Sequence, residues 1–425
     1  MTVPAQRSLW AETAEPAPAL TPPEGASEAE VAIVGGGYTG LSTALALAER
    51  GVAVTVLEAE APGAGASGAN GGQVIPGLRH YVSDLVREYG EATGRRLHAQ
   101  GSSDADVTFA LIQRHGIRCD AERTGWIQVA DNPSALEEGR QRHRAWAERG
   151  APVRWLSAEE VRAMTGAEGY LGGWLDERGG TVQPLSLARG LARAAMAAGA
   201  RVQAPARVTA IRPDGRDWRL ETATGSVRAR RVLIATNGQG GWPGLPTTVM
   251  PVWSFQTATD PLSPATDVLP GLQAVSDTRR VLRYWRRDRD GRLVVGGKGT
   301  IRAPRGPRSF GTVERMKGRL YPPLAHAAPA YWWGGRVSVT MDRLPRLFEL
   351  AEGVHAIIQC NGKGVAWCTA SGPILAEMLT GADPRDLAVV PPTPLRPIPL
   401  HPFRTVYAAV GSLYLRARDA LERAA

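Results

Sequence analysis

"VAIVGGGYTGLSTALALAERGVAVTVLE", residues Val31–Glu58, decides the fold. The apolar run Val31–Val34 reads as a buried strand, because strands covered on both faces show runs rather than alternation. "GGGYTG", Gly35–Gly40, then carries glycines at the spacing Gly-x-Gly-x-x-Gly. "LSTALALAERG" reads as a helix closed by Gly51, and "VAVTVLE", Val52–Glu58, as a second strand. Each glycine has its own task in that setting. Gly35 permits the tight turn, Gly37 lets a pyrophosphate approach the backbone, and Gly40 lets helix and strand pack closely. Tyr38 and Thr39 open a helix whose first N–H groups, at the positive end of its dipole, suit phosphate oxygens. Glu58 falls near the acidic position about twenty residues on, where it would bind ribose hydroxyls and disfavour a 2′-phosphate. A glycine-rich turn without a ligand would not need all four features together.

The next stretch, "APGAGASGANGGQ" (Ala61–Gln73), has the composition of a flexible linker. Linkers join domains, however, and do not interrupt one nucleotide fold. A nicotinamide enzyme would continue here into another short αβ unit. Small residues at Gly63, Gly65, Ala66, Ser67 and Gly68 instead let a backbone pass close to a large planar ligand and donate N–H groups to it. That suits FAD, whose ring system lies some distance beyond its pyrophosphate. Asn70, Gly71, Gly72 and Gln73 would continue this wall.

The chain has 425 residues, 43% of them apolar and 21% charged, enough for two domains. No apolar run is long enough to cross a bilayer, and Met1–Glu28 has no apolar segment of the secretory kind. Cys119, Cys360 and Cys368 are spaced like neither a disulfide framework nor a zinc site, which fits a cytoplasmic protein. The net charge of +9 raises the question of nucleic acid. The basic residues are 47 arginines and 3 lysines, scattered as a genome-wide bias would scatter them, and no recognition module is present. The one dense run, "RRVLRYWRRDR" (Arg279–Arg289), reads as a strand with one wet face. No nucleic-acid partner is expected, and the sequence leaves the oligomeric state open.

Further on, "PLSLARGLARAAMAAGA" reads as a helix, "RVLIATNG" as a strand and turn, and Val249–Val339 as β-rich with tryptophans at 253, 285, 332 and 333. "VHAIIQC", "NGKG" and "VAWCTASGPILAEMLTG" form a strand, a turn and a helix stopped by Gly381. A proline-rich tail follows Asp383, with a last amphipathic helix near Tyr407–Arg423. The only candidate for a second nucleotide turn, "NGQGGWPG", has Pro243 where the third glycine should stand, which disfavours a nicotinamide-dependent reductase.

Val31–Glu58 together with "GAGASGANGGQ" resembles the FAD-dependent amine oxidoreductases of the D-amino acid oxidase, glycine oxidase and sarcosine oxidase superfamily. The likeness is greatest towards gamma-glutamylputrescine oxidases and extends to "SLW", "GWLDERGGTVQPLSLARGL", "CNGKGVAWCTASGPILAEMLTG" and "PFRTVYAAVGSLYLRARDAL". The resemblance implies an α/β fold with a Rossmann-like FAD-binding domain of the glutathione-reductase kind, over 29–97, 153–248 and 340–385. A β-rich substrate domain is expected over 98–152 and 249–339, with 386–425 as a C-terminal tail packing on the body. Gly35, Gly37, Gly40 and Glu58 would hold the ADP half, and Ala66, Ser67, Asn70, Gly71 and Gln73 would run beside the flavin. Val208 would face the adenine through its backbone. Ala235 and Asn237 would end the strand closing on the cofactor, and Gly362, Lys363, Gly364 and Val365 would lie at the pyrimidine edge. Several relatives have histidine at the position of Lys363, and Cys360 does not stand where sarcosine oxidases link flavin covalently, so noncovalent FAD is expected.

The activity implied is oxidation of a C–N bond in an amine or amino acid by hydride transfer to flavin N5, with imine hydrolysis and reoxidation by oxygen to give hydrogen peroxide. A dehydrogenase of the same fold, passing electrons to a quinone or carrier protein, is the rival. Lys298, Lys317 and Lys363 are the only lysines, and two of them sit in Gly-rich turns where a compact charge fits and a planar fork does not. Lys363 and Lys298 are therefore candidate catalytic residues; surface positions are the competing reading. Trp253, Tyr284, Trp285 and Trp333 are candidates for a substrate pocket or for plain core. Arg336 would bind a substrate carboxylate bidentately, or be one more surface arginine.

Overall fold

The structure, a computed structural model, describes residues 6–300 and 302–424. Its first sheet is built on the strand Gly25–Val34, flanked by parallel strands Val54–Leu57 and Gly225–Ile234. Arg201–Gln203 and Val354–Ile358 extend the parallel core outward, and Arg346–Ala351 closes it in antiparallel fashion. The first strand begins at Gly25 rather than Val31 because only its second half is buried; the earlier residues pair with Gly225–Ala229 at the surface. The helix Tyr38–Ala48 is buried along its whole length, as its Gly, Ala, Leu and Thr composition allows.

The second sheet has eight strands, in the order 331–339, 250–261, 292–298, 283–287, 274–277, 126–130, 172–176 and 153–157. Neighbours are antiparallel except 274–277 beside 126–130. Here the structure departs from the domain limits expected. Strands Val153–Ser157 and Gly172–Asp176 pair in the second sheet, although 153–248 was assigned to the nucleotide unit. Conversely, the helix Glu91–Arg114 belongs largely to the first core: Leu97, Ala105, Leu111 and Ile112 cluster with Ala366 and Trp367. The Thr108 hydroxyl bonds the Ala366 carbonyl at 3.3 Å. Among the described residues no helix is long and apolar enough to cross a membrane.

The arginine run is also different from its reading as a wet-faced strand. The strand is only Arg283–Arg287, and the Arg286 side chain is fully buried. It donates to the carbonyls of Gly72 at 3.0 Å, Val182 at 2.6 Å and Arg287 at 3.1 Å, and lies over the Trp10 ring. A guanidinium has donors enough to satisfy several carbonyls that would otherwise be stranded in the interior. It therefore fastens the second sheet to the Ala61–Gln73 stretch. Arg286→Met removes these charge-assisted bonds, each worth about 1.5–3 kcal/mol. The expected result is a lowered urea midpoint together with faster proteolysis near Gly72, read by mass spectrometry.

Candidate active site

A cavity of about 690 Å³ runs between the two sheets. At one end it is lined by Gly35, Gly36, Gly37, Tyr38, Thr39 and Glu58. Gly35 has φ +113°, and a Cβ there would come within 2.9 Å of the Ala235 carbonyl oxygen. A Cβ on Gly40 would overlap the Gly35 carbonyl oxygen, so Gly40 serves helix–strand contact rather than the cavity wall. Gly37 caps the helix with no side-chain hydrogen bond, which leaves the first turn open to a ligand. The Glu58 carboxylate stands across the turn, accepting from the backbone N–H of Gly36 at 2.6 Å and of Glu60 at 2.9 Å.

Ala61–Gln73 forms one long wall, and it is anything but slack. A short helix, Ala66–Ala69, turns inside it. The Ser67 hydroxyl accepts from the Tyr38 N–H at 3.1 Å. Asn70 donates through Nδ2 to the Ser67 carbonyl at 2.7 Å and to the Tyr38 hydroxyl at 3.2 Å, while its Oδ1 accepts from the Gly72 N–H at 2.8 Å. Gln73 reaches into the second sheet, donating to the carbonyls of Val275 and Trp285, both at 3.0 Å. Ala66, Ser67, Asn70, Gly71 and Gln73 line the cavity; Gly72 does not, since it packs against Val182 and Arg286.

The other walls hold Val208, Ala235, Asn237, Gly362, Lys363, Gly364 and Val365. Asn237 adopts φ +53°, and its Nδ2 is buried without a partner. Asn361 and Gly362 turn at φ +41° and +92°, and Lys363 caps the helix Gly364–Ala370. The Lys363 ammonium lies over the Trp126 ring, with the Pro76 carbonyl at 3.5 Å. Burial, aided by repulsion from Arg142 and Arg79, pulls its pKa down to about 7, against the attraction of Asp104 and Asp176. Asp104, fully buried, is pushed up to about 8 by burial, opposed by the N–H of Gly77 and by Lys363.

Trp253, Tyr284 and Arg336 line the far end. The Tyr284 hydroxyl shares a 2.7 Å hydrogen bond with Ser254 Oγ. Arg336 is half-buried, and its Nε is among the buried atoms without a partner. Burial lowers its pKa first and the Arg404 charge second. Trp285 and Trp333 are absent from the cavity wall. Side chains alternate along a strand, so with Tyr284 facing the cavity Trp285 points into the opposite core, stacked on Tyr170. Trp333 packs edge-on against Trp10, and its Nε1 donates to the Ala69 carbonyl at 3.3 Å. The backbone of Lys298 ends the strand Arg292–Lys298 opposite Ser254, and its side chain lies outside the described residues.

Four further cations of the wall, Arg79, Arg207, Arg280 and Arg343, gave no signal in a sequence carrying so many arginines. Burial and the neighbouring Arg343 and Arg142 bring Arg79 down to about 10, partly offset by Glu138. Among the described residues, the carboxylates lining the cavity are Glu58 and Glu60, at its other end.

The residues present fit FAD. A glycine turn too tight for side chains lines the space, the N-terminus of the helix Tyr38–Ala48 faces it, and Asn237 offers a buried amide with no protein partner. The profile of the D-amino acid oxidase family, described as FAD dependent oxidoreductase, matches residues 30–378. The chain belongs to this family. Among its relatives, the probable oxidoreductase OrdL of Rhizobium meliloti (strain 1021) is 34% identical over 362 residues, 84% of each chain. The gamma-glutamylputrescine oxidoreductase of Escherichia coli (strain K12) is 33% identical over 408 residues, 92% of this chain and 93% of its own. The solved glycine oxidase of Geobacillus kaustophilus shares the fold, with a TM-score of 0.71 and 23% identity over 86% of this chain and 99% of its own.

As an FAD-dependent oxidoreductase of this family, the protein is expected to be yellow and to release FAD on acid denaturation. Glu58→Gln places an NH₂ group against backbone donors and removes a charge-assisted acceptor. FAD affinity should fall by about 1.5–3 kcal/mol, read by titration of the apoprotein. Unchanged affinity would mean that the ribose is held elsewhere.

Proposed function

We propose that this enzyme oxidises the C–N bond of an amine or amino acid carrying a carboxylate, with noncovalent FAD and with oxygen as the acceptor. The observation that carries the substrate class is Arg336, whose guanidinium has a buried nitrogen without a partner at the cavity end. A buried unpaired donor is costly unless a ligand satisfies it, and a carboxylate matches the guanidinium fork. Arg79 and Arg343 in the same wall add to a positive field that would draw in an anion. Relatives named for glycine and for gamma-glutamylputrescine are in keeping with such substrates.

FAD, held by the glycine turn, Glu58, Ala66–Gln73 and Asn361–Val365, supplies the two-electron chemistry. The protein's own residues bind and orient. Arg336 would hold the carboxylate, while Trp253 and Tyr284 would wall the alkyl part and exclude water, Tyr284 being fixed by Ser254. Lys363 would supply positive charge to the pyrimidine edge, and Lys298 is the candidate for assisting oxygen. Cys360 lines the cavity, but burial raises its thiol pKa and disfavours the reactive thiolate, which supports noncovalent binding.

Anaerobic substrate should bleach the flavin, and air should restore it while peroxide accumulates. Flavin that stays bleached in air but recovers with a quinone favours the dehydrogenase rival. Arg336→Met should lower kcat/KM for a carboxylate-bearing amine by about 10–10² and spare an amine lacking the carboxylate; an equal loss on both would refute its assignment.

The lysine pKa sets a second test. Lys363 is charged below about pH 7 and neutral above it. Lys363→Met should slow anaerobic reduction on the order of 10²–10³, as removing one preorganised donor does. The deficit should be largest below pH 7 and shrink as the pH rises and the parent lysine loses its charge. A deficit independent of pH would remove Lys363 from this role.

A further inference from the structure

One peptide group stands between Lys363 and a buried acid. The Lys363 ammonium faces the Pro76 carbonyl at 3.5 Å and lies 5.2 Å from the centre of the Trp126 ring. On the other edge of the same peptide, the Gly77 N–H donates to Asp104 Oδ1 at 3.2 Å. Pro76 and Gly77 are buried, and Asp104 is buried completely. A trans peptide is planar, and its C=O and N–H point in opposite directions. The two side chains therefore sit on opposite edges of one rigid plane. Asp104 comes from the helix Glu91–Arg114, whose Leu97, Ala105 and Leu111 belong to the first core, and its Oδ2 is buried without a partner. An acid is costly in such surroundings, and an apolar side chain would serve packing better.

Beyond burial, the charged groups acting on Lys363 are Arg142 and Arg79, which repel its charge, and Asp104 and Asp176, which favour it. Asp176 is already taken by Arg178, whose Nε and Nη2 donate to it at 2.9 and 2.6 Å. That leaves Asp104. Its hydrogen bond selects the orientation of the peptide, because Gly77 has φ +78° and glycine accepts either sign of φ. A buried N–H left without an acceptor turns to find one, and in a rigid plane the carbonyl turns with it. We propose that Asp104 is a positioning residue for Lys363: by accepting from Gly77 it keeps the Pro76 carbonyl aimed at the ammonium. A protonated carboxyl accepts through its carbonyl oxygen as a carboxylate does, so the hold persists while Asp104, with its pKa near 8, is neutral. The inference rests on the role given to Lys363 above.

The chain has three lysines, so lysine isotopically labelled at Cε gives three NMR signals in the FAD-loaded enzyme, and Lys363→Met identifies its own. Asp104→Leu removes the acceptor and should lower the titration midpoint of the Lys363 signal by about half a unit to one unit. Asp104→Asn keeps an acceptor for Gly77 and should leave the midpoint at the parent value. Added to Lys363→Met, Asp104→Leu should slow anaerobic reduction no further than Lys363→Met does alone, because it acts through the lysine. A midpoint unmoved by Asp104→Leu overturns the inference. So does a midpoint that Asp104→Asn lowers equally, or a double variant whose two losses multiply. Should Asp104→Leu fail to fold, Asp104→Ala is read in the same way. If Lys363→Met itself leaves reduction unchanged, the role of the lysine fails, while the midpoints still decide that of Asp104.

Discussion

The structure depends on the carbonyl groups of one glycine- and alanine-rich wall. Ala61–Gln73 runs between the two sheets, exposed only at Ala64 and Gly65, and a short helix pairs part of it internally. Buried carbonyls must find donors, and here the donors come from far away in the chain. Gln256 and Trp333 serve Ala69, Trp10 serves Asn70, and Arg286 serves Gly72. Close approach by these groups explains the small residues. A Cβ on Gly71 would lie 2.6 Å from the Tyr284 ring, and one on Gly72 would lie 2.6 Å from Arg286 Nη1. The composition of a flexible linker is, in this context, the composition of a tightly fastened seam.

This seam also explains what could be read in the sequence and what could not. Val31–Glu58 was legible because its strand, turn and helix signals are contiguous, and each is local. The second sheet was not. Its strand Ala274–Asp277 lies beside Trp126–Ala130, and Val153–Ser157 joins through Gly172–Asp176, pairings that no local pattern announces. The tryptophans show the same limit at the scale of one residue. Tyr284 and Trp285 are neighbours in sequence, yet the pleat sends one to the cavity and the other to the core. Arg286 was hidden for a further reason. A charged residue in a strand is normally a surface signal, and here the carbonyls of the seam reverse it.

The cavity is electrically divided along its length. Glu58 and Glu60, the latter paired with Arg207 at 3.6 Å, stand at the end formed by the nucleotide turn, whereas Arg79, Arg336, Arg343 and Lys363 have no lining carboxylate beside them. Arg79 and Arg343 are exposed whereas Arg336 and Lys363 are partly buried, and the lowered pKa values of Arg336 and Lys363 express the cost of taking their charges from water. The buried Asp104 answers it only in part, because burial holds its own pKa up to about 8 and so keeps it largely neutral at pH 7. The positive charge at that end is what the carboxylate of the proposed substrate would compensate.

The C-terminal helix, Arg404–Ala424, is coupled to that same end. Arg280 and Leu282 line the cavity and belong to the short loop between the strands 274–277 and 283–287. At its base, the buried Asp277 accepts from the N–H groups of Arg279 and Arg283 at 3.2 and 3.0 Å. At its crest, Asp419 of the helix holds Arg280 and Val281. A loop tied at both ends transmits the position of the helix to the cavity wall. Through Asp419 the C-terminal helix thus fixes the loop that carries Arg280.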